Sequence, residues 1–153
     1  MKRFTLFLVL VLSITLLSAC SSKKNSEDET SSTAASLKVS GGDVNKSYTR
    51  ADLEKMAVTQ ATYKDVVFKG VTVSALLQDA GFTLEEIKAV KAVATDGFTV
   101  NYDTSQVLAE EVIVAYAKVD GNMSEDDGSF RMVLPGAEGK LNVRMLAEIQ
   151  VVK

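Results

Sequence analysis

An α+β fold is what this 153-residue chain predicts, and three observations carry it. Segments of β-type residues recur from Leu37 to Val152. Short amphipathic stretches with helix-capping residues lie between them. The two kinds intermix without the regular strand–helix–strand alternation of a parallel α/β sheet.

Residues 1–19 read as an address. Lys2 and Arg3 give a positive start, and Phe4 to Leu17 is an apolar run broken only by Thr and Ser. That run is short for a bilayer span and has the flanks of a secretory signal. It closes on Leu17-Ser18-Ala19-Cys20, which resembles a bacterial lipobox and makes Cys20 the lipidation site. The alternative is an ordinary signal peptide with an incidental cysteine. Ser21 to Ser36 contain no large apolar side chain and cannot offset their ordering entropy. Residues 20–36 are therefore expected to be a lipidated cysteine and flexible tether, and residues 37–153 a single folded domain. The expected location is an extracytoplasmic membrane surface, held by two acyl chains.

Composition excludes much. Without residues 1–19, 15 Lys and Arg face 20 Asp and Glu, which argues against nucleic acid as a partner. Cys20 is the only cysteine, so no intramolecular disulfide can form. No histidine occurs anywhere, which removes Ser-His-Asp and Cys-His catalysis and histidine-based zinc sites.

Within the domain, Leu37 to Val39 predict a first strand closed by Gly41-Gly42. Thr49 with Asp52 predicts a capped helix start, with Tyr48 and Leu53 as a hydrophobic staple. Val58 to Phe68 are β-type, and Lys69-Gly70 is read as the breaker. Val73, Leu76, Leu77 and Ala80 fall at helical spacing, with Thr72 as cap and Gly81 just past the end. Thr83 to Glu86 form a second capping box before another helix, stapled by Phe82 and Ile87. Val90 to Thr95 lead into Asp96-Gly97, read as a two-residue hairpin turn, with Phe98, Val100 and Tyr102 on one buried face. A helical turn at Thr104 to Ala109, a central strand at Val112 to Ala117, and a turn at Asp120-Gly121 follow. A helical turn at Asn142 to Met145 precedes the last strand, Ala147 to Val152.

The stretch from Asp127 to Gly136 stands apart. It holds the only proline, Pro135, and one of three arginines outside the leader, Arg131, on the predicted strand Phe130 to Leu134. A guanidinium between apolar neighbours requires an anionic partner or water. A structural pair with Glu125, Asp126 or Asp127 competes here with a ligand role. Asp120, Asn122 and Ser124 have the spacing of a calcium loop, but Glu125 stands at its glycine position and Arg131 at its bidentate glutamate, so no EF-hand is expected.

Several segments resemble the sulfite-oxidase-type molybdopterin-binding domain family. Phe68 to Leu77, with Ala80-Gly81, is similar to its W-x-G-V-x-L-x-x-L-L…A-G segment, and Ala94 to Phe98 to its A-x-D-G-Y. Ile113 to Tyr116, Asp120-Gly121 and Gly128 to Gly136 resemble its L-A-Y…N-G…G-x-P-x-R-x-V-x-P-G, and Asn142-Val143-Arg144 falls at its x-V-K. The order and spacing hold from Leu37 to Lys153.

The resemblance implies a single mixed-sheet domain of that type with short helices. It also implies a molybdenum-ligating cysteine shortly before the G-V-x-L segment, where this chain has Thr59 to Asp65 and no cysteine. Molybdenum is therefore not expected, nor any other resident cofactor, and no catalytic residue is assigned. The retained arginines imply a site for a pterin-like or other small heterocyclic ligand. Arg131, Arg144, Asn142, Ser129, Gly128 and Tyr63 are its candidate residues. Arg144 reads equally as a solvated turn residue, and Tyr102, beside Tyr63, as core. The expected function is a non-catalytic, membrane-anchored binding module. The alternatives are an accessory lipoprotein that binds a membrane or surface protein in a redox or transport system, and an active molybdopterin-dependent oxidoreductase.

Overall fold

The computed structural model describes residues 35–153. The expected signal peptide, Cys20 and the expected tether up to residue 34 lie outside the described residues. No helix among the described residues is long and apolar enough to cross a membrane.

The first two strands, β1 (Ser36–Gly41) and β2 (Val44–Thr49), form an antiparallel hairpin. β1 starts at Ser36, one residue before the expected domain boundary. β2 is unpredicted because only Tyr48 along it is buried, so it carries almost no period-2 signal. Thr49 then caps α1 (Arg50–Leu53): its side chain accepts from the Asp52 amide, and Asp52 accepts from the Thr49 amide at 3.0 Å. The box and the buried pair Tyr48 and Leu53 are as expected, but the helix is a single turn.

β3 (Thr59–Tyr63) and β4 (Val66–Thr72) form a second hairpin about Lys64-Asp65, where both residues have positive φ. This corrects the single segment ending at Lys69-Gly70. The strand runs on through Gly70, where the pairing shifts register against the neighbouring β7 (Ile113–Lys118). Gly70 is needed for close approach: a Cβ would run into the Val114 carbonyl and lie 2.7 Å from the Ala115 Cα.

α2 (Val73–Ala80) follows its prediction, with Thr72 accepting from the Ala75 amide and Gly81 left-handed at φ 101°. Its buried stripe of Val73, Leu76, Leu77 and Ala80 faces the core, each large side chain contributing about 1.5–3 kcal/mol. The second capping box does not form. Leu84–Glu86 is one 3₁₀ turn, and Thr83 makes no side-chain cap, although Phe82 and Ile87 are both buried.

β5 (Ala89–Ala94) and β6 (Thr99–Asp103) pair as expected. Their connection is a three-residue loop, because the Gly97 amide bonds to Ala94 carbonyl and Gly97 sits at φ 88°. Of the predicted buried face only Tyr102 is fully buried; Val100 is half-buried and Phe98 is 47% exposed. Phe98 closes the hairpin, its carbonyl accepting from the Ala94 amide at 2.9 Å, and its side chain borders a cleft instead of the core. α3 (Thr104–Val107) follows, then β7, β8 (Arg131–Val133) and β9 (Leu146–Val152). The last helical turn is 3₁₀ and covers Gly139–Leu141, not Asn142 to Met145. Met145 has φ 50°, which no helix continues through.

Two sheets result. One has five strands in the order β2-β1-β9-β5-β6 and is mixed, β1 and β9 running parallel. The other has four antiparallel strands in the order β3-β4-β7-β8. The main core includes Leu37, Leu76, Tyr102, Tyr116, Met132 and Ile149. The four-stranded sheet carries a smaller apolar cluster, Ala61, Phe68, Ile113, Ala115 and Val133. Alternation along β7 divides the two: Val114 and Tyr116 join the main core, Ile113 and Ala115 the smaller cluster.

Candidate functional site

The register of β8 decides where Arg131 goes. Arg131 pairs with Ala115 and Val133 with Ile113, so Arg131 stands on the face of the smaller cluster while Met132 enters the main core. Its guanidinium lies 4.6 Å from the Phe68 ring centre and 5.6 Å from that of Tyr63. It is 5% exposed, so it cannot rely on water. Asp127 supplies the counter-charge, 2.5 Å from Nη1. Of the three acidic residues available, Asp127 is the one that Gly128, at φ 73°, turns back toward the strand.

Asp127 is itself fully engaged. Its other carboxylate oxygen accepts from the Ser124 hydroxyl at 2.6 Å and lies 3.1 Å from Lys118 Nζ. Burial pushes this carboxyl up, but the Ser124 hydroxyl, Lys118 and Arg131 more than offset that and hold it at about 2. Arg131 and Asp127 are thus a buried, hydrogen-bonded pair.

A cleft of about 440 Å³ opens beside this pair, lined by Tyr63, Lys64, Asp127, Arg131, Asn142 and Arg144. Gly139 completes the wall; a Cβ there would stand 3.2 Å from the Tyr63 hydroxyl oxygen. Asn142 and Arg144 also border a second cleft of about 440 Å³, which includes Asp96, Phe98, Lys140 and Met145. Asn142 is committed to the backbone: its Oδ1 accepts from the Leu134 amide at 2.8 Å and its Nδ2 donates to Glu138 carbonyl at 3.2 Å. Tyr102 is core, and its hydroxyl donates to Leu141 carbonyl at 2.6 Å. Lys64 and Arg144 form no ion pair among the described residues, so they give the first cleft a positive field. The Pro135-Gly136 turn does not line it; the Lys64-Asp65 hairpin does.

Gly128 and Ser129 are elsewhere. They line a larger groove of about 720 Å³ together with Thr49, Arg50, Tyr116, Met123 and Phe130. A Cβ on Gly128 would come 2.7 Å from Met145 Cα, so this glycine is held by packing. Tyr116 is 1% exposed, and its hydroxyl is shielded from solvent without a hydrogen-bond partner among the described residues. A hydroxyl left in that state costs roughly 1–3 kcal/mol. Nothing in the sequence marks Tyr116 as different from Tyr102, which does find a partner.

Six candidate ligand residues therefore divide. Tyr63, Arg131, Asn142 and Arg144 border one cleft, of which Tyr63 and Arg144 have side chains free of hydrogen bonds among the described residues; Gly128 and Ser129 border the groove. Molybdenum does not fit either place. The described residues contain no cysteine or histidine and no cluster of three or more metal-ligating side chains. The one carboxylate in the cleft, Asp127, is already saturated. Guanidinium, ammonium and phenol donors suit instead an anionic or planar organic group.

A family model described as "Oxidoreductase molybdopterin binding domain" matches residues 17–153. Among solved structures, the sulfane dehydrogenase SoxCD from Paracoccus pantotrophus shares this fold with a TM-score of 0.65 and 19% sequence identity. The match covers 76% of this chain and 38% of that one, so the chain spans well under half of that protein's length. No curated protein matches in sequence.

Proposed function

The chain belongs to the oxidoreductase molybdopterin-binding domain family, and we propose that it is an exported, membrane-anchored member that binds a ligand without molybdenum chemistry. The ligand class is an anionic, flat heterocycle of the pterin type. One observation carries this proposal: Lys64 and Arg144, which form no ion pair among the described residues, stand beside a cleft of about 440 Å³ that has Tyr63 and the Arg131–Asp127 pair in its wall. Two such cations attract an anion, and the Tyr63 ring offers a face for stacking. By the resemblance, the family's metal-binding thiolate would fall within Thr59 to Asp65, a segment that here contributes the Lys64 ammonium to the cleft. Cys20 is spent on the lipid anchor in this proposal, and the folded domain works at the outer surface of the membrane.

The test is titration of the purified full-length chain in detergent with pterin-6-carboxylate, followed by thermal shift and pterin fluorescence. Saturable binding that weakens about tenfold or more in Arg144→Ala supports the proposal, since a charged hydrogen bond contributes roughly 1.5–3 kcal/mol. Absence of saturable binding in the wild type overturns it.

A further inference from the structure

The groove around Tyr116 is separate from the cationic cleft and has opposite chemistry. Tyr116 and Phe130 lie in its wall with Met123 and Ala51, so much of its surface is aromatic or apolar. Its one cation, Arg50, is neutralised by Glu54 at 2.8 Å, and Glu125 adds a further negative charge. An anion is therefore disfavoured. The Arg50 guanidinium stands 5.7 Å from the Tyr116 ring centre, and Glu54 lines the same groove. Arg50 and Glu54 are each about half exposed, and an ion pair on one solvent-facing helical turn holds its partners weakly. The Tyr116 hydroxyl beside this groove is buried and has no hydrogen-bond partner among the described residues.

We propose that this groove is a second ligand site, taking a neutral, flat ring molecule that presents a carbonyl oxygen to the Tyr116 hydroxyl. Each element of that description follows from the wall. The lack of negative charge on the ligand follows from the rim, where Glu54 neutralises Arg50 and Glu125 is left over. A flat ring follows from the two aromatic side chains, and the volume of about 720 Å³ lies within the range of small-molecule sites. A carbonyl acceptor follows from the hydroxyl, whose proton is retained because burial, and then the neighbouring Glu54, raise its pKa. Binding displaces the Arg50 side chain and completes the missing hydrogen bond. The proposal does not rest on the cationic cleft, which lies on the other face of the four-stranded sheet from Tyr116.

Coumarin is a suitable probe, being neutral, flat and carbonyl-bearing. Its binding to the full-length chain is followed by saturation-transfer NMR, with protein-free micelles as the baseline. Wild type and Arg144→Ala are expected to bind alike. Tyr116→Phe, which keeps the ring and removes only the hydroxyl, is expected to bind about tenfold more weakly. Ala51→Trp fills the groove from its exposed side and is expected to abolish binding, and it stands in if Tyr116→Phe fails to fold. Equal affinity in wild type and Ala51→Trp overturns the proposal. So does equal affinity in Tyr116→Phe, or no saturable transfer in the wild type.

Discussion

Asp127 and Arg131 are four residues apart in a stretch that is not helical, and their charged groups meet 2.5 Å apart with both side chains buried. The relation is made by Gly128 and by the Asp127 carbonyl, which accepts from the Met145 amide and so ties the loop to the approach to β9. Arg131→Ala leaves Asp127 with Lys118 and Ser124 but strips its other oxygen of a buried partner, and is expected to destabilise the fold by roughly 1–3 kcal/mol in urea unfolding. The double variant Arg131→Ala with Asp127→Ala is expected to lose clearly less than the sum of the singles. Additive losses would show the pair to be uncoupled.

Acid should reveal the same carboxylate. Asp127 is held at about 2 in the folded chain, below the ordinary aspartate value of about 3.9. Its contribution is present in full above the unfolded pKa and is lost as pH falls through the folded one. Stability measured from pH 5 down to pH 2 is expected to decline, and less steeply in Asp127→Asn. Identical slopes would assign the decline to Asp52, Asp79, Glu138 and Glu148, whose pKa values are also lowered.

Two glycines separate crowding from strain. Gly70→Ala drives a methyl into the Val114 carbonyl at the β4–β7 register shift, and a loss of about 3 kcal/mol is expected. Gly136→Ala meets nothing within 4 Å and bears only the left-handed backbone at φ 71°, for a loss of about 1 kcal/mol. Denaturant midpoints of the two variants check the order; a larger loss at Gly136 would refute it.

Metal content tests the absence of molybdenum chemistry. Protein purified from a host that makes molybdenum cofactor is expected to hold no stoichiometric molybdenum and to show no sulfite oxidation. A metal-to-protein ratio near one by elemental analysis would return the chain to the catalytic members of its family.

The proposed anchor has its own test. Cys20→Ala is expected to leave the precursor unprocessed by lipoprotein signal peptidase, or to release the chain into the medium. Correct cleavage with wild-type membrane retention would exclude lipidation at this position.

What could be seen in the sequence follows the strength of local signals. The helix capped by Thr72 and closed by Gly81 is written in side-chain spacing, and the structure places it at Val73–Ala80. β7 is legible as an unbroken apolar run because both of its faces are buried. β2 is not legible, since an edge strand with one buried residue looks like loop. The Lys64-Asp65 turn is not legible either, because it uses left-handed backbone without glycine or asparagine. At the site, the scarcity of Arg131 announced a special position, and the choice between pair and ligand contact needed the fold. The sequence placed Gly128 and Ser129 beside Arg131, whereas the turn at Gly128 sends them to the groove. Tyr116 was hidden altogether, since a missing partner is a property of three-dimensional surroundings.

β9 is the third strand of five, between β1 and β5, and it follows every other strand of its sheet in sequence. Until it arrives, the β1–β2 hairpin and the β5–β6 hairpin have no edge in common, and the main core lacks Leu146, Ile149 and Val151. Lys38 on β1 pairs with Glu148 on β9, and pairings of such long sequence separation form slowly. For a protein exported as proposed, that delay keeps the precursor loose enough to thread through a translocation pore. It also makes β9 the strand whose pairing closes the sheet on arrival outside.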